Sequence, residues 1–276
     1  SEHWIAFKDQ MIPLFLCWLV QMSVSDWRTV RRIVFVTLLP LPYMARVVWN
    51  QHMSVASWHY SDDLRIKGTF SLLGANEYAA FCVTAALVLG ALFIAARASK
   101  TWRLLLAGGI ATVLLGVLWT YSRTAYVALM AGALAMLLVW RGRWKLLVPL
   151  LLVVAIAPRF LPVSVVERFD STTVEEHQRD ESTELRFVYW QTAWKTFLEH
   201  PVTGTGFHTF HHHEINPYNR DTHNLYMRTL SEGGVLGILA LAGLLVAVLR
   251  TVWRDLRAAP HGTWRYGLAL GMLGAW

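Results

Sequence analysis

The chain has 276 residues, 55% of them hydrophobic, with 14 Trp, 2 Cys and a formal charge of +7. An apolar share above that of soluble domains, a positive mean hydropathy and charge-free stretches of bilayer length exclude an ordinary soluble enzyme and predict an all-α, polytopic transmembrane helical bundle. The positive charge falls in short connections with no basic stripe interleaved with aromatics, which argues against a nucleic-acid partner.

In chain order, apolar runs predict eight spans, at about 11–25, 33–50, 77–96, 104–121, 124–140, 146–161, 233–250 and 266–276. A helix rises about 1.5 Å per residue, so runs of roughly 17 to 20 residues cross about 30 Å of hydrocarbon. The first run is short and reads as a partial span. Cys17 and Cys82 both lie in spans and offer neither a loop disulfide framework nor a CxxC metal pattern. The opening SEHWIAFKDQ has no initiator Met or signal-peptide layout, and the ending YGLALGMLGAW stops inside an apolar run. The 276 residues are therefore expected to be one membrane domain sampled from a longer protein.

Arginines and lysines orient the spans. Arg28, Arg31 and Arg32, then Arg97, Lys100 and Arg103, then Arg141, Arg143 and Lys145, then Arg250, Arg254, Arg257 and Arg265 fall in alternate connections, which the positive-inside rule places in the cytoplasm. The opposite side receives 51–76, the tight junction at Tyr121, Ser122 and Arg123, and the long segment 162–232. Loops of that length are mostly lids and binding loops, so chemistry is expected there, on the outer face.

Three arginines depart from the topology rule: Arg65 in DDLRIKGTFSLLGANEYAAF, Arg123 at the span junction, and Arg186 in STELRFVYWQTAWKTFLEHP. After Arg186, the aromatics Phe187, Trp190, Trp194 and Phe197 recur at helical spacing, predicting a short helix in the interface with its rings among lipid headgroups. Guanidiniums at one membrane face suit a diphosphate, because the planar fork of donors matches phosphate oxygens. Arginines near helix ends also snorkel to headgroups or pair with a neighbouring carboxylate, and Asp62 and Asp63 are candidate partners for Arg65. A charge at a junction between spans, as at Arg123, is a functional candidate by default.

The histidines divide into two groups. His208, His211, His212 and His213 with Glu214 offer metal-ligand types, but three adjacent histidines do not converge easily on one ion, and the spacing matches no closed zinc pattern. His223 has Asp221 and Thr222 before it, Asn224 after it, and Glu232 ahead of the Gly233–Gly234 pair. A neutral imidazole beside a carboxylate suits a general base, while a histidine that only bonds its loop would look the same in sequence. Gly204 and Gly206 allow a tight turn or a close backbone approach.

The ordered blocks GTFSLLGANEYAAF, SRTAYVAL, ELRFVYWQTAWKTFLEHPVTGTGFHTF and DTHNLYMRTLSEGGVLG, spread from about 64 to 250, resemble the O-antigen ligase and polymerase superfamily of bacterial envelope glycan enzymes. The last two blocks are the most specific. The resemblance implies a GT-C-like membrane fold whose 162–232 loop is periplasmic, in a multi-pass protein of the bacterial inner (plasma) membrane. It implies transfer of a glycan from a polyprenyl (undecaprenyl) diphosphate donor to an acceptor hydroxyl, without metal or cofactor and with inversion. The acceptor would be lipid A–core, as in lipopolysaccharide biosynthesis.

Carried over by motif, His223 would be the base, Arg123 and Arg186 would hold the diphosphate with Arg65 a weaker third, and Asn224, Glu232, Gly204 and Gly206 would support the loop. Tyr218, Trp190 and Trp194 could stack on sugars. Family members carry more spans than eight, so helices that wall the donor cavity are expected outside these residues. Repeat-unit polymerisation and protein O-oligosaccharyl transfer differ from ligation only in acceptor and stay open. A small-anion transporter would place charge deep in its spans and break helices in symmetric halves; the spans here lack Asp and Glu in their middles.

Overall fold

The structure, a computed structural model, describes residues 2–24, 26–55, 64–70, 73–140, 181–212, 214–216 and 220–276. Among these the chain is helical, with α1 Glu2–Ser23, α2 Trp27–Leu38, α3 Leu41–Val55, α4 Ala75–Ala95, α5 Lys100–Trp119, α6 Arg123–Val139, α7 Glu181–Glu199, α8 Leu225–Ala258 and α9 Trp264–Ala275. The described residues hold no strand, only an isolated bridge between Ala96 and Gly262. The chain divides into two units, Ser1–Ser25 with Ser171–Val248 and Asp26–Asp170 with Leu249–Trp276.

In the second unit, α2 starts where Asp26 can cap it: the carboxylate accepts the Thr29 backbone N–H at 2.6 Å, satisfying a donor the helix leaves orphaned. That bond from the Thr29 N–H holds the Asp26 carboxyl below the usual aspartate range. A lowered carboxyl contributes stability above its unfolded pKa and loses it as pH falls through the folded value. The melting temperature of the wild type should therefore fall more steeply below about pH 4 than that of Asp26→Asn, which keeps an acceptor without the charge. Parallel slopes in a thermal melt series would contradict the cap.

The chain bends between α2 and α3 because Pro40 offers no N–H to continue the ladder. The Leu39 N–H falls back to the Val36 carbonyl, three residues away, at 3.2 Å. The second predicted span is accordingly a bent path of 29 residues, Trp27–Val55.

The centre of this unit is α4, which packs on α5, α6 and α9. Ala79, Cys82, Ala91 and Leu92 on it are fully buried. α9 approaches closely through small residues: a Cβ on Gly271 would lie 2.7 Å from the Val88 Cα, and one on Gly267 3.2 Å from the Leu92 Cα. Such stripes let helix backbones meet where lipid offers no hydrophobic drive.

By length and composition, Trp27–Val55, Ala75–Ala95, Lys100–Trp119 and Leu225–Ala258 can cross a membrane, and Arg123–Val139 is a shorter apolar helix. α1 is helical but not among them, because Lys8, Asp9 and Gln10 dilute its apolar run. The predicted span 266–276 falls in α9, which is helical from Trp264 to the last residues of the sequence. The predicted span 146–161 and the basic group Arg141, Arg143 and Lys145 lie outside the described residues.

Basic connections that are far apart in sequence share one end of this unit. The Arg97 N–H donates to the Gly262 carbonyl at 2.7 Å, and Trp102 meets Phe35 and Trp264 edge-on at 6.2 and 4.9 Å between ring centroids. At the opposite end of α4 and α5, Asn76 and Thr120 gather the residues around Arg65.

Candidate functional site

Two of the predicted arginines belong to the α5–α6 junction. The Ile66 N–H donates to the Trp119 carbonyl at 3.1 Å, which brings the segment before α4 onto the end of α5. Arg65 then donates from Nη2 to the Asn76 side-chain oxygen at 2.6 Å and from Nε to the Thr120 carbonyl at 3.4 Å. The Ser122 hydroxyl donates to the same Asn76 oxygen at 3.2 Å. Arg123 is the first residue of α6, directly after Ser122. The turn is tight because Tyr121 takes a left-handed φ of 48°, and Tyr121 packs with Leu64 in a small cluster beneath. Asn76, absent from the sequence-based candidates, is the hub. Asp62 and Asp63, the proposed carboxylate partners of Arg65, lie outside the described residues.

The other predicted residues belong to the first unit, where α7, the 200–216 loop and the start of α8 share a core of Tyr189, Ala193 and Phe210. The helix predicted around Arg186 is α7. Its Phe187 and Trp194 are about half exposed and Leu198 more so, while Tyr189, Ala193 and Thr196 face inward. Trp190 is half-buried, and its indole N–H donates to the Thr222 carbonyl at 3.0 Å. Arg186 stands one turn earlier on the same side of α7. Its guanidinium makes no hydrogen bond or ion pair among the described residues.

His223 is held by its neighbours rather than by its own ring. Thr222 is fully buried; its hydroxyl donates to the Asn224 carbonyl at 2.9 Å. The Asn224 side-chain oxygen accepts the N–H groups of Tyr226 and Met227 at 3.0 and 3.2 Å, so Asn224 is the cap of α8. Between these fixed points His223 adopts a left-handed φ of 51° and its side chain is exposed. The Asp221 carboxylate holds the loop and not the imidazole: it accepts the Thr222 N–H at 2.7 Å and Arg228 at 3.2 Å.

Arg228, not singled out from the sequence, ties this region together. It donates from Nη1 to Asp221, from Nε to Glu232 at 3.3 Å, and from Nη2 to the His208 Nδ1 at 3.0 Å. A guanidinium only donates, so Nδ1 accepts and the His208 proton sits on Nε2. The buried Glu232 also accepts the Phe210 N–H at 3.1 Å. The spacing of Arg228 and Glu232, four residues apart on one helix, was the available sequence signal. Phe207, Leu225, Arg228, Thr229, Glu232 and Gly233 line a cavity of about 390 Å³, within the size range of small-ligand sites.

Gly204 and Gly206 dock the 200–206 loop on α8. The Thr205 and Gly206 N–H groups donate to the Ser231 and Glu232 carbonyls at 3.0 and 2.9 Å, and those of Val235 and Leu236 donate back to Pro201 and Val202 at 2.8 and 3.2 Å. α8 opens for this exchange at Gly234, whose φ of 59° and ψ of −155° interrupt the helix. The rings of His208 and His211 lie 3.9 Å apart and those of His211 and His212 4.7 Å apart. No group of three or more His, Cys, Asp or Glu is arranged for a metal ion among the described residues; His213 and Tyr218 lie outside them.

Trp190→Phe tests the pinning of the His223 loop. It keeps an aromatic ring but leaves the Thr222 carbonyl without its donor, a loss of about 1 kcal/mol. The expected result is a small drop in melting temperature, with faster backbone amide exchange at 222–224. Unchanged exchange would show that the indole does not restrain the loop.

Residues 108–242 match the family model described as O-antigen ligase. The match takes in α6, α7, the docked loop, His223 and the start of α8, and it supports the O-antigen ligase superfamily for this chain. No curated protein matches the chain. The family and the apolar helices together support a membrane protein of the glycan ligase or polymerase type.

Proposed function

We propose, taking the O-antigen ligase superfamily as premise, that the protein transfers a glycan from a polyprenyl diphosphate such as undecaprenyl diphosphate to an acceptor hydroxyl, with lipid A–core as the acceptor. The observation that carries this reading is the presentation of His223, an exposed imidazole on a left-handed residue between the buried Thr222 and the Asn224 cap. A base held that way needs little reorganisation when an acceptor arrives.

In this reading His223 takes the acceptor hydroxyl proton while the hydroxyl oxygen bonds to the anomeric carbon. The bond from that carbon to the diphosphate oxygen breaks, and in-line displacement inverts the centre. Arg186, Arg123 and Arg65 are assigned to the donor diphosphate, where fixed cations stabilise the charge that grows on the leaving group. Arg186 supports the assignment by having no protein partner among the described residues, and Arg65 by its place at the junction that opens α6, where it shares the Asn76 oxygen with Ser122. Asn224, Glu232, Gly204 and Gly206 hold the loop. The reading uses no metal, and it sets the site at the periplasmic face of the inner membrane, where the donor's diphosphate lies at headgroup depth.

The test is transfer in vitro, with the full-length protein in detergent, a polyprenyl-diphosphate oligosaccharide, lipid A–core and a chelator. Glycosylated lipid A–core with an inverted anomeric centre is the expected product. Chain extension on the polyprenyl carrier would make the protein a repeat-unit polymerase, and dependence on added divalent metal would overturn the metal-free chemistry.

A further inference from the structure

We infer that the basic end of the second unit binds an anionic phospholipid of the cytoplasmic leaflet in two adjoining cavities that share Arg31. The first, about 280 Å³, is lined by Arg28, Arg31, Arg32, Phe35 and Trp102. The second, about 440 Å³, is lined by Trp27, Arg31, Pro260, Thr263, Trp264 and Arg265. The Phe35, Trp102 and Trp264 rings stand edge to face in a row, so an aromatic wall runs from one cavity to the other.

Part of the charge at this wall has no partner among the described residues. Arg31 and Arg32 make no hydrogen bond or ion pair among the described residues, and the Asp26 carboxylate accepts the Thr29 N–H and acts on Arg28. Arg28 stands in the first turn of α2, at its positive end, an arrangement that an anion relieves. In the second cavity Arg265 gives one nitrogen to Asp255 at 2.6 Å, while its Nε is buried with no partner. A phosphate supplies acceptors for such forks.

The aromatic wall decides between a lipid and a soluble phosphate. Trp27 and Phe35 are over 40% exposed although large and apolar, and α2 is the first part of the apolar path Trp27–Val55. A headgroup on the arginines would therefore carry its glycerol and upper acyl chain along Phe35 and Trp102. Basic pockets between membrane helices hold anionic lipid headgroups in this way. The proposal uses the positive-inside topology but not the transfer reaction, so loss of lipid with transfer intact, or the reverse, separates the two.

Native mass spectrometry of the full chain, delipidated in neutral detergent, tests it. The probes are phosphatidylglycerol, phosphatidylcholine and inorganic phosphate. Phosphatidylglycerol is expected to be retained at much lower concentration than phosphatidylcholine, and the double variant Arg31→Gln, Arg32→Gln should weaken it roughly thirtyfold. Arg31→Lys, which keeps the charge and loses the fork, should fall between. Arg254→Gln, on α8 and in neither cavity, should match the wild type and controls for general charge. Equal retention of the two lipids, an unchanged double variant with a wild-type melting temperature, or displacement by millimolar phosphate would each overturn the lipid assignment.

Discussion

Replacing His223 with Ala is expected to lower glycan transfer by about 10²- to 10⁴-fold, the usual worth of a positioned general base, without unfolding the protein. The side chain is exposed, and the bonds that shape its loop come from Trp190, Thr222 and Asn224. Alanine does remove one advantage besides the imidazole: a left-handed φ is more costly for it than for His or Asn. His223→Asn keeps a residue suited to the 51° turn and removes only the base. Both variants should lose transfer to a similar degree, with melting temperatures near that of the wild type. Activity in the Asn variant with loss in the Ala variant would assign His223 a backbone role and leave the base unidentified.

The difference between His223 and its neighbours was only partly legible in the sequence. Span positions followed from apolar run length, because a bilayer fixes how many residues a helix needs; α4 and α6 fall within about two residues of expectation. The bend at Pro40 was masked by the continuity of the apolar run, which hides a break in a hydrogen-bond ladder. At the loop, the pattern DTHN marked the right place but not the division of labour. Asp221 reads as a partner for His223, yet its oxygens go to Thr222 and Arg228. Asn224 reads as a support of the loop, and the structure adds that it caps α8. Arg228 and Asn76 are hubs; the four-residue spacing of Arg228 and Glu232 is legible locally, but their partners 20 and 46 residues away, at His208 and Ser122, are not.

Gly204→Ala is expected to be the most destabilising single-atom change in the loop, costing about 3 kcal/mol or more, with transfer lost although every proposed catalytic group remains. Gly204 has a φ of 65°, and a Cβ there would collide with the backbone of Glu232 and lie 2.5 Å from the Gly233 nitrogen. Backbone atoms cannot rotate away, so the loop itself must lift from α8. Lifting it endangers the exchanged bonds between 201–206 and 231–236, and with them the carbonyl of Glu232, whose side chain holds Phe210 and Arg228. Gly206 offers the internal comparison. Its φ is 108°, but its Cβ would meet only the Thr209 methyl, at 3.7 Å, so Gly206→Ala should show conformational strain alone, about 1 to 3 kcal/mol. Thermal melts of the two variants decide the point: a larger loss at Gly204 locates the requirement in close backbone contact with α8, whereas equal losses would reduce both glycines to turn formers.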